Sequence, residues 1–290
     1  MKKLTISIVN YNAGEYLIKC LSSLKKVLDE VDFDVFVVDN ASTDDSITKA
    51  KSLFPEFNFI LNEKNLGFGK AHNLVLQKVK TQYILTLNPD CEVMPKTLKF
   101  MTEFMDSNLD VAISTCKIEK ADGSLDIASH RGFPTPLASF LYFFFKNDRL
   151  YHLTNSPMDR AHEIDSGVGA FLFIRKSVLD KIGYFDEDYF LYAEDIDLCY
   201  RAKEAGFKIM YVPEVKIIHV KGISSGIKKH SQDSSMATNK TKSLAMDYFY
   251  KTMIIFYKKH YAKNYPFFFN WIVYSGINLK SFLARRKKSV

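Results

Sequence analysis

A chain of 290 residues, 47% hydrophobic and 25% charged, is long and apolar enough to bury one large core or two modest ones, which excludes a disordered protein. Its net charge of +7 is unevenly placed: residues 240–290 hold eleven Lys or Arg against one acid, Asp247, so they net +10 and residues 1–239 net −3. A basic end on a mildly acidic body predicts an anionic partner, and with no basic face or nucleic-acid motif in the body, a membrane surface is expected rather than nucleic acid.

Residues 4–9 form a β-branched run, expected as a strand, that stops at Asn10-Tyr11-Asn12. Residues 15–28 carry Leu17, Leu21, Leu24 and Leu28 in three- and four-residue steps, the stripe of an amphipathic helix. A second strand over 33–38 stops at Asp39-Asn40-Ala41-Ser42-Thr43-Asp44, where Ser42 or Thr43 is the expected N-cap of a helix reaching residue 53. A third strand over 57–61 closes in a polar, Gly-containing segment over 62–69, and a helix is expected over 70–79. The mostly apolar run Tyr83-Ile84-Leu85-Thr86-Leu87 is a fourth strand. Pro89 cannot donate to a sheet ladder, so this strand ends near it and Asp90 falls in a loop. Taken alone, Asn88-Pro89-Asp90 reads as an ordinary Asx turn.

Strands alternating with helices over short links predict an α/β fold with a mostly parallel sheet and right-handed crossovers. Ligands of such sheets sit in the crevice at the carboxyl ends of the strands. Strands ending at Asn10, Asp39, Asn62 and Asn88 therefore predict a binding edge. Gly67-Phe68-Gly69-Lys70-Ala71-His72 resembles a dinucleotide turn only in part, being G-x-G-x-x-H in the third βα unit instead of the first. A hydride-transfer enzyme is the weaker alternative, and the two glycines are expected to permit a tight turn and a close backbone approach before a helix.

After Asp90 a helix is expected over 95–105, opened by Pro95, then a strand over 111–115 and an irregular stretch over 117–165. Within that stretch Phe140-Leu141-Tyr142-Phe143-Phe144-Phe145 is expected in the core or as a helix buried at a domain seam, the alternative being a surface for a lipid or sugar acceptor. Small residues over 166–170 lead into a strand ending at Arg175, and a helix over 177–182 stops at Gly183. Residues 186–197 hold six acids interleaved with aromatics. If Glu194 starts a helix reaching residue 205, Asp195 lies in its first turn and Gly206 is its C′ residue. Asp197 and Arg201 then form an i,i+4 pair on an exposed face, whereas Glu194-Asp195 beside Phe190, Leu191 and Tyr192 does not suit a solvated face. Short strands over 208–212 and 215–220 flank Pro213; His219 lies in the second and alone reads as structural. A polar mobile loop is expected over 226–241, a helix over 242–262, and an aromatic, basic end over 267–288.

Cys20, Cys91, Cys116 and Cys199 are scattered with no C-x-x-C pair, and the N-terminal apolar run is too short for a secretion signal, so reduced thiols in a cytoplasmic protein are expected. The apolar stretch over 266–279, interrupted by Asn270, falls short of the roughly 20 residues that span a bilayer, and no transmembrane helix is expected.

Five segments occur in order: Ser7-Ile8-Val9-Asn10-Tyr11-Asn12, Val37-Val38-Asp39-Asn40-Ala41-Ser42, Asn65-Leu66-Gly67-Phe68-Gly69, Leu87-Asn88-Pro89-Asp90 and Phe190-Leu191-Tyr192-Ala193-Glu194-Asp195. Together they resemble the family-2 glycosyltransferases with a GT-A fold, in particular the bacterial rhamnosyltransferase-like branch, over about residues 1–225. The resemblance implies a nucleotide-sugar-binding half over 1–110, an acceptor-binding and catalytic half of the same domain over 111–225, and a helical, basic C-terminal region over 226–290. It implies that Asp39 accepts the ring N–H of a uracil or thymine base, that Asn10 and Tyr11 line the base pocket, and that Asn65 and Gly67 lie against the nucleotide. Asp90 would hold Mg2+ or Mn2+ on the donor diphosphate, with Asn88, a neutral oxygen donor, standing where the family motif has its first acid. His219 resembles a further metal ligand of related enzymes, and an imidazole suits Mn2+ better than Mg2+.

Glu194-Asp195 matches the family's Glu-Asp motif, whose second acid is the general base of an in-line displacement that inverts the anomeric carbon. Asp165 is a candidate contact to acceptor or donor sugar. The implied donor is dTDP-rhamnose, with UDP-hexose transfer or a catalytically silent nucleotide-sugar-binding protein as alternatives. The implied acceptor is a cell-surface glycan or lipid-linked oligosaccharide at the inner face of the plasma membrane. The basic, aromatic tail would reach that anionic surface at ~1 kcal/mol per Lys or Arg, unless it serves a helical bundle or a homodimer contact instead.

Overall fold

The computed structural model describes residues 2–220 and 239–286, with side chains from residue 243 onward in the second segment. Strands β1 (Leu4–Asn10), β2 (Phe33–Asp39), β3 (Asn58–Leu61) and β4 (Tyr83–Leu87) pair in parallel in the order β3-β2-β1-β4. Helices α1 (Glu15–Lys25), α2 (Ser46–Leu53) and α3 (Phe68–Leu76) link them as crossovers. Beyond β4 the sheet continues through β8 (Phe171–Arg175), β6 (Val111–Glu119), β9 (Lys208–His219) and β5 (Cys91–Val93), with β7 (His162–Glu163) paired to β9. Only β5, β7 and β8 run against the rest, so six of the nine strands among the described residues share one direction. The chain steps outward from β1 to β2 and β3 and returns on the other side as β4, which puts the switch point between the ends of β1 and β4.

The two-residue period of the buried strands divides the core between the two faces of the sheet. Leu85, Leu87, Phe171 and Phe173 pack with α1 and α4 (Thr97–Ser107); Ile84, Leu172 and Ile174 pack with α3, α6 (Lys176–Ile182) and α7 (Glu194–Glu204). Of the predicted stripe, Leu17, Leu21 and Leu24 are buried, whereas Leu28 lies past the end of α1 and is 41% exposed. A third cluster, Tyr189, Ile196, Phe256, Tyr257 and Tyr261, fastens α8 (Asn239–His260) to α7, and α9 (Phe267–Arg286) folds back along α8. All four cysteines are buried and unpaired with one another. Among the described residues no helix is long and apolar enough to cross a membrane.

Several expectations are corrected by tertiary contacts. Neither Ser42 nor Thr43 caps α2, which opens after Asp45; the Ser42 hydroxyl is spent on Asp39 and the Asn12 N–H instead. Helix α3 starts at Phe68, so Gly69 lies within it. Pro95 precedes α4, whose N-cap is Lys96 in a left-handed conformation with its N–H held by Glu30. The strands on either side of Pro213 are one strand, β9, whose register against β6 slips between Cys116 and Lys117, where a residue without an N–H is tolerated. The aromatic run forms α5 (Pro136–Phe145), but in it only Ala138 is buried, so it is a surface helix and not a core one. The expected polar loop lies outside the described residues as far as residue 238, and residues 239–241 already belong to α8.

Candidate active site

Sheet register sets the first two polar strand ends side by side, Asn10 opposite Asp39. The fully buried Asn10 donates from Nδ2 to Asp39 Oδ1 at 2.8 Å, Ser46 Oγ at 3.0 Å and Ser42 Oγ at 3.1 Å. Its Oδ1 has no hydrogen-bond partner among the described residues. Asp39 also accepts the Ser42 N–H at 3.0 Å and the Ser42 hydroxyl at 2.6 Å. Asn12 and Ala41 alongside have φ of +52° and +61°, a left-handed conformation that side chains other than glycine rarely adopt and that concentrates at functional sites. Tyr11 is half-buried next to Asn10.

The third loop closes against this edge. Asn40 Nδ2 donates to the Gly67 carbonyl at 3.0 Å, and Asn65 Oδ1 accepts the Gly67 N–H at 2.9 Å in an Asx turn. Gly67 has φ +84°, and a Cβ there would stand 2.4 Å from the Phe190 carbonyl oxygen. The Phe68 N–H donates to the same oxygen at 2.9 Å, so this loop is clamped to the one preceding α7. His72 is in the core, bonded to Ser7 Oγ at 2.8 Å and pushed down to about 3 by burial, which makes it a neutral packing residue.

At the end of β4, the Asn88 N–H donates to the Ala170 carbonyl at 3.1 Å and Asp90 occupies the turn before β5. Pairing of β5 with β9 sets Cys91 opposite His219, which brings His219 Nε2 to 3.2 Å from Asp90 Oδ1. Both side chains are buried. The two atoms are close without being aligned for a hydrogen bond: among the described residues, Asp90 Oδ1 and His219 Nδ1 both lack a hydrogen-bond partner. A buried carboxylate with an unused oxygen beside an imidazole fits one divalent cation. Cys91 Sγ is within reach of the same point, but burial and then Asp90 push its thiol well up, and it donates to the Ala170 carbonyl at 3.6 Å, which removes it as a ligand for a hard ion. Asp126, also buried, has Oδ2 3.9 Å from His219 Nδ1.

Helix α7 starts after Tyr192 and Ala193, at φ +73° and +67°, and its first two residues are Glu194 and Asp195, where the helix dipole favours carboxylates. Asp195, 6% exposed, accepts Arg131 Nη2 at 2.7 Å and the Gly169 N–H at 2.9 Å on Oδ2, and the Ile196 N–H at 2.8 Å on Oδ1. Arg131 also donates to the Gly167 carbonyl. Burial works against the Arg131 charge, but Asp195 raises its pKa overall. Glu194, 5% exposed, is pushed up to about 8 by burial and then by the Asp195 charge, and its Oε2 has no partner. Of the two adjacent carboxyls, Asp195 is paired with a guanidinium and Glu194 is favoured neutral.

The Asp197–Arg201 pair forms at 2.8 Å, but not on an exposed face: α8 covers it, and Asp197 also accepts His260 Nε2 and Lys259 Nζ at 2.7 Å. Asp165 is half-buried and its carboxylate is engaged by Lys203 Nζ at 2.8 Å and the Phe133 N–H at 3.2 Å, an arrangement that holds the loop carrying Arg131. Gly169 and Ala170 tie the parts together. Ala170 receives Asn88, Gly169 reaches Asp195, and a Cβ on Gly169 would stand 3.0 Å from the Phe68 ring. Sequence reading gives no signal for Arg131 or Asp126, which lie in the irregular stretch between β6 and β8.

Residues 5–183 match the family model described as Glycosyl transferase family 2. The chain belongs to this family. It is 28% identical over 223 residues to rhamnosyltransferase WbbL of Escherichia coli K12, covering 74% of this chain and 82% of the relative. It is 26% identical over 243 residues to an N-acetylglucosaminyl-diphospho-decaprenol L-rhamnosyltransferase of Mycobacterium tuberculosis, covering 77% and 78%. Its fold is similar to that of GalNAc-T7 with UDP, GalNAc and Mn2+ (TM-score 0.58, 15% identity), over 76% of this chain and 44% of that one. The α/β sheet of this glycosyltransferase is therefore the expected GT-A fold, and the family match runs from Asn10 past Asp165 but ends ahead of Glu194.

Proposed function

We propose that this glycosyltransferase moves a sugar, first choice rhamnose from dTDP-rhamnose, to a hydroxyl of a glycan or lipid-linked acceptor in one in-line displacement that inverts the anomeric carbon. The observation that carries this reading is the setting of Asp195, a buried carboxylate at a helix N-terminus whose Oδ2 is fixed by Arg131 and the Gly169 N–H. In this reading Asp195 removes the proton of the acceptor hydroxyl as that oxygen attacks the anomeric carbon and the bond to the donor diphosphate breaks. Arg131 fixes the direction of the Asp195 carboxylate before the transfer and stays beside the carboxyl that has gained the proton. Glu194, favoured in its protonated form, avoids a second negative charge next to the base.

Asp39 and Asn10, with Tyr11, would hold the base, and Asn65 and Gly67 the nucleotide. Asp90 and His219 would hold Mg2+ or Mn2+, which when bound offsets charge on the diphosphate; Asn88 adds no charge there. An acceptor such as Asp39 serves thymine and uracil alike, which keeps a UDP-hexose donor as the second reading. The two rhamnosyltransferase relatives support the first. We place the acceptor at the anionic inner face of the plasma membrane, reached through the C-terminal region with its net +10.

A panel of sugar nucleotides tests the assignment. Release of dTDP or UDP is expected with Mn2+, together with a donor-induced rise in melting temperature that Asp90→Asn and His219→Ala reduce. A panel that gives no binding and no release overturns it. Binding without transfer to any lipid-linked or free acceptor makes the chain a silent nucleotide-sugar-binding protein.

A further inference from the structure

Helix α5 is well formed, with the Thr135 hydroxyl accepting the Ala138 N–H at 3.1 Å and Pro136 in its first turn. Yet Leu137, Phe140, Phe144 and Phe145, at helical spacing, are each between 50% and 65% exposed. On α9, Phe268, Trp271, Ile272, Leu279 and Phe282 form a second stripe, each between 51% and 70% exposed and extending about 21 Å along the axis. The two stripes meet where Lys280 of α9 donates to the Phe143 carbonyl at 3.0 Å and lies 4.6 Å from the centre of the Phe144 ring. Two unpartnered aromatic faces are in this way bridged by one lysine, which reaches from α9 to the Phe144 ring.

Cations border the joint face. Lys146 and Arg149 follow α5 and are exposed, and Arg286 lies 4.5 Å from the centre of the Phe282 ring. Of the nearby acids, Asp247 is paired with Arg285 at 2.8 Å and Asp148 is half-buried. A second copy of the chain would set basic rim against basic rim, whereas an anionic bilayer complements both the aromatic centre and the positive border. Neither helix can span a membrane, so each would lie in the headgroup plane.

We propose that α5 and α9 form one docking face for an anionic bilayer, with α5 inserting beside the C-terminal helix. This rests on the membrane partner proposed above for the tail and adds a second element from the body of the chain. Its consequence is positional. Helix α5 begins at Pro136, in the same loop segment as Arg131, the partner of Asp195, so docking through α5 would hold the segment that positions the base at the membrane that carries the acceptor.

The test is co-sedimentation of the full chain with phosphatidylcholine vesicles, with and without phosphatidylglycerol, alongside the emission of Trp271, its single tryptophan. The unmodified chain is expected to bind only the anionic vesicles, less so in salt, with a blue shift of Trp271. Phe140→Ser/Phe144→Ser should bind about tenfold more weakly, with unchanged thermal unfolding and donor-nucleotide binding, while Phe140→Leu/Phe144→Leu keeps binding. A Ser variant that binds like the unmodified chain overturns the joint face and leaves the tail as sole anchor. No binding by the unmodified chain removes both, whatever the transfer assay gives. Dimerisation in solution that the Ser variant abolishes assigns the face to a second copy and also overturns the proposal.

Discussion

Asp197 fastens the C-terminal hairpin to the helix that carries Glu194 and Asp195, and Asp197→Asn tests that lock. Burial pushes its carboxyl up, but His260, Arg201 and Lys259 more than offset this and bring it to about 2, against an ordinary 3.8. At 1.36 kcal/mol per pH unit, that difference gives ~2.5 kcal/mol of native stability at neutral pH. Removing the charge also strands its cations, and breaking a buried pair costs about 3–5 kcal/mol, so ~2.5 kcal/mol is the lower bound. At ~2–4 °C per kcal/mol the melting temperature should fall by roughly 5–20 °C. The sign with pH is fixed: a depressed carboxyl contributes stability above pH 3.8 that is lost as pH falls through about 2. Unfolding curves of the two proteins, followed by circular dichroism over a pH series, should therefore converge toward acid. A melting temperature equal to that of the unmodified chain at pH 7, or a gap that persists unchanged at acid pH, refutes the reasoning.

Glu194 titrates in the opposite sense. Its carboxyl is raised from 4.5 to about 8, so its contribution is full below pH 4.5 and lost as pH rises through 8; Glu194→Gln should abolish that decline, seen as a variant that gains melting temperature relative to the unmodified chain toward alkaline pH. Arg131→Lys keeps the charge but not the reach of the guanidinium, whose Nη2 serves both Asp195 and the Gly167 carbonyl. It should lower kcat by ~10–100-fold with donor affinity unchanged, measured by single-turnover transfer and nucleotide titration.

The first four strands and their polar ends are legible because each is a short apolar run with an abrupt polar stop, and sheet topology then places those stops at one edge. The start of α7 and its Gly206 terminus are legible for the same local reasons. What local pattern cannot give is closure. Arg131 reaches Asp195 from an irregular stretch with no periodicity, and Asp90 meets His219 only because β5 pairs with the far end of β9 after the slip at Pro213. Ser42 has the residue type of an N-cap, but Asp39 in its own loop and Asn10 and Asn12 from the end of β1 claim it. The aromatic run in α5 misleads because hydrophobicity predicts burial in one direction only: buried positions are apolar, but an apolar helix need not be buried. Asp197 and Arg201 are spaced as a surface pair, and nothing within α7 shows that α8 will cover them.

The most direct measurement is transfer by Asp195→Asn alongside its donor affinity. A general base held by Arg131 and the Gly169 N–H, and not by the donor, predicts nucleotide-sugar binding close to that of the unmodified chain with kcat reduced by ~10²–10⁴-fold. Transfer at an undiminished rate would contradict Asp195 as the base.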